Sequence, residues 1–162
     1  MELESRRAAA HQRTVRNAWV GSMAGLLIYL LLPRLVGALE TTGAEPYRGF
    51  RVILWLVAAI QVAVHFWWTR RYVSREAVVN AVRKTAIDPL TYFMAKKIAA
   101  IGMAQSVAVY GLVLAFIGGY FWDQYILTLT SAALLTRHYP YQSIFDELEK
   151  DREKAETLSI GS

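Results

Sequence analysis

From Ile98 to Thr136 the chain is almost uninterruptedly apolar, and its only charge there is Asp123. At a helical rise of about 1.5 Å per residue, this stretch is too long for one crossing of a hydrocarbon core about 30 Å thick and about right for two. The break is predicted at Gly118-Gly119-Tyr120-Phe121-Trp122-Asp123-Gln124, where two poor helix formers meet aromatic side chains of the kind that settle at headgroup level. The reading is a tight transmembrane hairpin, and the rest of the chain repeats the theme. A hydrophobic share of 55% beside 19% charged residues requires the charges to be segregated, and long apolar blocks do alternate with basic clusters.

Residues 1–17 carry Arg6, Arg7, Arg13 and Arg16 and are read as a basic cytoplasmic segment. The apolar block at 18–39 follows as a first membrane helix rather than a cleaved signal, because it is too long and its leader too extended. Pro33 and Arg34 near its far end are read as a bend and a snorkelling cation. Gly21 and Gly25, with Ser22 beside them, form a small-xxx-small face suited to close helix contact. A polar connector at 40–49 carries turn residues, and a second span at 51–69 ends on Phe66-Trp67-Trp68 and then Arg70-Arg71. Gln61 and His65 are four residues apart and share a helical face, as packing groups or, alternatively, as part of a polar relay.

The segment 70–96 is basic and imperfectly amphipathic. Arg70, Arg71, Arg75, Arg83 and Lys84, with Lys96 and Lys97 at its end, are assigned to the membrane surface; a partner-docking helix is the equal alternative. Spans at 97–118 and 121–137 form the second hairpin, and 138–162 is read as a charged, solvated tail. Lysine and arginine accumulate at both ends and in the central linker, which puts all three on the cytoplasmic side. The predicted fold class is therefore all-α: an integral membrane protein with four transmembrane helices in two hairpins and a basic amphipathic cytoplasmic linker.

Function is less legible. With no cysteine, thiolate metal sites and thiol nucleophiles are excluded, and no span carries paired acids, a metal-binding set or a nucleophile with its base. Neither catalytic nor metal-ligating residues are assigned, no cofactor is expected, and the net charge of +5 is topological rather than a nucleic-acid footprint. The predicted partners are the bilayer and a second copy or a larger membrane complex. Association would run through Gly21, Gly25, Tyr29, Gly102, Ser106, Tyr110 and Gly111, with Gln105 supplying an interhelical hydrogen bond. The alternative is translocation of an ion or small solute along Gln105, Gln61 and His65.

The run Gln105-Ser106-Val107-Ala108-Val109-Tyr110-Gly111-Leu112-Val113 resembles the ion-carrying helix of the c-subunit, or proteolipid, of rotary ATPases. There an acidic residue precedes small apolar residues and an aromatic-Gly-Leu-Val pattern. Over most of residues 18–142 the chain is also similar to a group of bacterial four-helix, c-subunit-like membrane proteins. The shared features are Tyr29 in the first helix, the aromatic approach to Arg70-Arg71, Tyr110-Gly111-Leu112-Val113 and the Tyr139-Pro140 exit. That resemblance implies a bacterial inner membrane. Gly21 and Tyr29 recur as Gly102 and Tyr110 at the same separation, as in a duplicated hairpin. The family's carboxylate position matches Gln105, however, and an amide has no accessible titration. What the resemblance implies is a shared scaffold without ion translocation.

Overall fold

The computed structural model describes the backbone of residues 2–35, 47–85 and 88–150, and the side chains of 9–35, 47–74, 76–81 and 88–150. Most of the predicted connector at 40–49 and the tail beyond Lys150 lie outside the described residues. All regular structure among them is helical: α1 (Glu2–Leu35), α2 (Arg48–Trp68) running on into a π turn (Thr69–Val73), α3 (Arg75–Thr85), α4 (Pro89–Gly118), α5 (Phe121–Thr136) and α6 (residues 142–150).

Among the described residues, three stretches are long and apolar enough to cross a membrane: Ala9–Leu35, Arg48–Val73 and Pro89–Gly118. α5 forms where the fourth span was expected, but with 16 residues it reaches about 24 Å, short of a typical hydrocarbon core. The outer faces are apolar, with Leu27, Ile28 and Leu31 of α1, Ile53, Leu56 and Ile60 of α2 and Leu129 of α5 all more than half exposed. An apolar surface this extensive has the character of one that faces lipid.

Local sequence sets the helix ends. Asp88 accepts from the Thr91 N–H at 2.9 Å and Pro89 takes the first helical position, so α4 starts eight residues before the predicted 97. It closes at Gly119, whose φ of 66° is left-handed. The Gly119 N–H reaches the Ala115 carbonyl at 3.1 Å and that of Tyr120 reaches Leu114 at 3.3 Å, reversing the chain where predicted. No glycine or proline stops α2, and its bonding widens into the π turn until Ser74 adopts an extended ψ of 147°. The Ser74 hydroxyl then accepts from the Ala77 N–H at 3.3 Å and opens α3. From Glu2 onward the predicted basic segment 1–17 is part of α1, since its alanines, arginines and glutamates are good helix formers.

α4 is the hub. α1 lies beside it in parallel, while α2 and α5 run antiparallel to it. The arms of the predicted hairpin 18–69 do not pack along each other; each lies separately against α4. Of the apolar window of α4, 44% is buried inside the molecule, against 11% for α2, which fully buries only Ala58 and His65. The charged tail also departs from a purely solvated reading: α6 buries Phe145 and Leu148, and Phe145 meets Phe93 edge-on with centroids 5.5 Å apart.

A buried polar seam and two clamps as candidate functional site

On α5, Gln124, Thr128 and Ser131 recur at i, i+4 and i+7, and all three are buried against α4. Small residues on α4 make room for them. At Gly111 an added Cβ would lie 3.0 Å from Gln124 Cα and 3.1 Å from its carbonyl oxygen, so a larger residue would require the α5 backbone to give by a few tenths of an ångström. With the backbones this close, polar side chains reach carbonyls on neighbouring helices. Ser131 Oγ donates to the Ala104 carbonyl of α4 at 2.7 Å, and Gln124 Nε2 donates to the Tyr29 carbonyl of α1.

That last acceptor is created by the sequence of α1. Pro33 has no N–H, so the carbonyl four residues earlier, that of Tyr29, lacks its helical donor, and Gln124 supplies one from α5. Pro33 is thus part of an interhelical contact rather than only a bend.

Gln105 faces α1. Its Oε1 accepts from Ser22 Oγ at 3.1 Å, and Gly25 lies beside it, where an added Cβ would come 2.9 Å from Gln105 Nε2 and the amide end would have to move aside. Ser106 Oγ donates back to its own helix at the Met103 carbonyl, 2.8 Å away. Tyr29 and Tyr110 are half-buried against the core. Gly21 and Gly102 differ from Gly25 and Gly111: both are exposed, and an added Cβ would meet nothing within 4 Å.

Two clamps fasten α2. At one end Arg51 forms a forked ion pair with Asp123, Nε to Oδ2 at 2.5 Å and Nη2 to Oδ1 at 2.9 Å, with its guanidinium 4.8 Å from the Tyr120 ring centroid. At the other, His65 Nε2 lies 3.1 Å from Nε2 of His138, both rings buried and nearly perpendicular. Gln61, on the same face as His65, makes no hydrogen bond among the described residues. The groups predicted to share a relay therefore divide: Gln105 engages Ser22, and His65 engages His138.

The predicted basic surface divides as well. Arg70 and Arg71 are exposed, and the side chains of Arg75, Arg83 and Lys84 lie outside the described residues. Lys96 sits 5.1 to 5.4 Å from the ring centroids of Trp68, Tyr72 and Tyr92. Lys97, assigned from sequence to the membrane surface, is instead 3% exposed. Because α4 starts at Pro89, Lys97 falls one turn after buried Phe93 on the inward face, its ammonium 5.1 Å from that ring centroid.

Sequence reasoning missed Gln124, Ser131, His138 and the Arg51–Asp123 pair. Polar residues at i, i+4 and i+7 in an otherwise apolar helix were the available signal for the seam; nothing local pairs His65 with His138. Among the described residues no three histidine or acidic side chains gather as a metal site. Comparison with protein-family models, curated proteins and solved structures returns no match.

Proposed function

We propose that the chain is a non-enzymatic integral membrane protein, a scaffold or accessory subunit that associates with itself or with a larger membrane complex through small-residue faces on α1 and α4. The observation that carries this reading is the division among the glycines. Gly25 and Gly111 are occupied within the fold, whereas Gly21 and Gly102 sit on neighbouring parallel helices and face open space. Another helix could approach the backbone there without displacing any side chain. Gln105 is engaged with Ser22, so in this reading it stiffens the α1–α4 pair that presents the two glycines.

In the same proposal α5 is a fourth span, the helices form two sequential hairpins, and both termini and the basic linker are cytoplasmic in a bacterial inner membrane. The c-subunit resemblance then concerns the scaffold and not its ion chemistry. Translocation is the second reading, favoured by the buried stripe Gln124, Thr128 and Ser131; against it, Ser131 and Gln124 are hydrogen-bonded to fixed backbone carbonyls.

The test is the mass of the detergent-solubilised protein with its copurifying partners, for wild type, Gly102→Ala and Gly21→Leu/Gly102→Leu. The expected result is a discrete assembly, kept or modestly weakened by alanine and lost with the paired leucines, and no ion flux after reconstitution. Assembly that survives both leucines, or flux from the purified chain, would overturn the proposal. Orientation is tested separately: single cysteines at Ser5, Ser74 and Ser159 should be protected from an impermeant thiol reagent in intact cells while one at Thr42 reacts, and the opposite pattern would invert the topology.

A further inference from the structure

The His65–His138 contact joins α2 to the segment leaving α5, and its chemistry makes that joint conditional. An Nε2–Nε2 separation of 3.1 Å requires one ring to donate and the other to accept, so at least one imidazole is neutral while the contact holds. Both rings are at most 2% exposed, so bulk solvent screens a charge there poorly. Among the described residues, the charged groups that act on His138 are cationic or able to become so: His65 from α2, Lys97 from α4 and Arg137 from the end of α5. Arg137 also lies 5.3 Å from the ring centroid of Phe66, next to His65. A second proton would place two imidazolium ions in contact beside two further cations. The irregular backbone at this end of α2 lies immediately alongside: the π turn Thr69–Val73 followed by extended Ser74, a natural place for a helix to pivot.

We propose that the His65–His138 pair is a proton-operated latch that holds the basic end of α2 against α4 and α5 while one ring is neutral and releases it, with the π turn and α3, when both rings are protonated. No covalent step is involved; the protons come from the aqueous side as the rings separate. Burial, followed by the nearby positive charges, holds the closed-state His138 down to about 3, well below an ordinary imidazole near 6.5. The open state therefore binds more protons between these values. The closed state is fully favoured above about pH 6.5, and each pH unit below it lowers the closed-to-open ratio about tenfold for every proton taken up.

Because the chain has no cysteine, Arg71→Cys/Ser143→Cys gives two unique spin-label sites on either side of the latch. Distances are read for the full chain in lipid nanodiscs at pH 7.5 and pH 5.0. The expected result is a distribution lengthened by about one helical turn, on the order of 5 Å, at the lower pH. The response should disappear in His138→Gln and in His65→Gln, whether each variant rests open or closed. Identical wild-type distances at both pH values, or a response that persists in both glutamine variants, would overturn the proposal. Should either variant fail to fold, wild-type imidazole nitrogen resonances provide the second measurement: His65 and His138 should titrate together with the distance change, and independent titration without it would also overturn the latch.

Discussion

Replacing Gln124 by methionine keeps side-chain length and removes the amide that donates to Tyr29. The cost follows from what that carbonyl then meets. Gln124 is 1% exposed and Pro33, the residue that leaves the carbonyl without a donor, is itself buried, so bulk solvent is a poor substitute for the amide. An unpaired buried acceptor costs about 1–3 kcal/mol in soluble proteins. Interhelical hydrogen bonds in membrane proteins measure lower, about 0.6 on average and up to about 1.7, because the inserted but unassembled state finds partners of its own. With Gln124 and Pro33 both buried beside the carbonyl, the upper part of the membrane range applies, about 1–1.7 kcal/mol. The decisive comparison is with Pro33→Ala, which restores an N–H at the position that normally serves the Tyr29 carbonyl. In that background Gln124→Met should cost under about 0.5 kcal/mol, giving a coupling of about 1 kcal/mol between residues on different helices. Reversible unfolding in mixed detergent micelles, followed by circular dichroism, yields the four stabilities of the cycle. If the methionine costs as much beside alanine as beside proline, the account of Pro33 is wrong.

Ser22→Ala and Gln105→Leu should show a coupling of about 0.5–2 kcal/mol in the same assay, since each removes one side of the α1–α4 hydrogen bond, and purely additive effects would mean that the bond contributes nothing. Gly111→Ala should lower stability by about 1–3 kcal/mol, because the methyl meets the Gln124 backbone at 3.0 to 3.1 Å, whereas Gly102→Ala should leave the monomer's unfolding curve within about 0.5 kcal/mol of wild type; equal effects at the two glycines would contradict the packing described.

Helix existence and the reversal at Gly118-Gly119 were legible because apolar block length and αL-tolerant glycine act locally. The start of α4 was misjudged because Lys96-Lys97 looked like a boundary, while Asp88-Pro89 was the actual cap and lysine does not end a helix. Which helix packs on which was not legible from chain order: nothing local indicates that α1 and α2, adjacent in sequence, would each choose α4 instead. Among site residues, the glycines were recognisable as small, but Gly102 and Gly111, nine residues apart, point to opposite sides of α4, and Gly21 and Gly25, on one face, differ in whether a partner side chain stands opposite. Gln105 was singled out as an interhelical donor or acceptor, and Ser22 is its partner. His65 was picked out too, but His138 lies seventy-three positions away, and only the tertiary fold brings it near. Pro33 was read for what a missing N–H does to its own helix, when its larger effect is the acceptor it exposes to another.

The attachment of α2 and α5 to α4 also bears on how the protein is made. α2 leaves the ribosome before α4 exists, and in a bilayer its apolar surface allows it to wait: only Ala58 and His65 are later buried fully, so lipid solvates nearly all of it until its partner arrives. α5 has no such independence. It is short and carries Gln124, Thr128 and Ser131 in the seam against α4, with Asp123 beside them paired to Arg51 of α2, and exposing these groups to hydrocarbon alone would be costly. If α5 is the fourth span proposed above, the tight turn at Gly119 delivers it directly behind α4, so that the two would enter as a pair and α5 would not have to partition as a single helix.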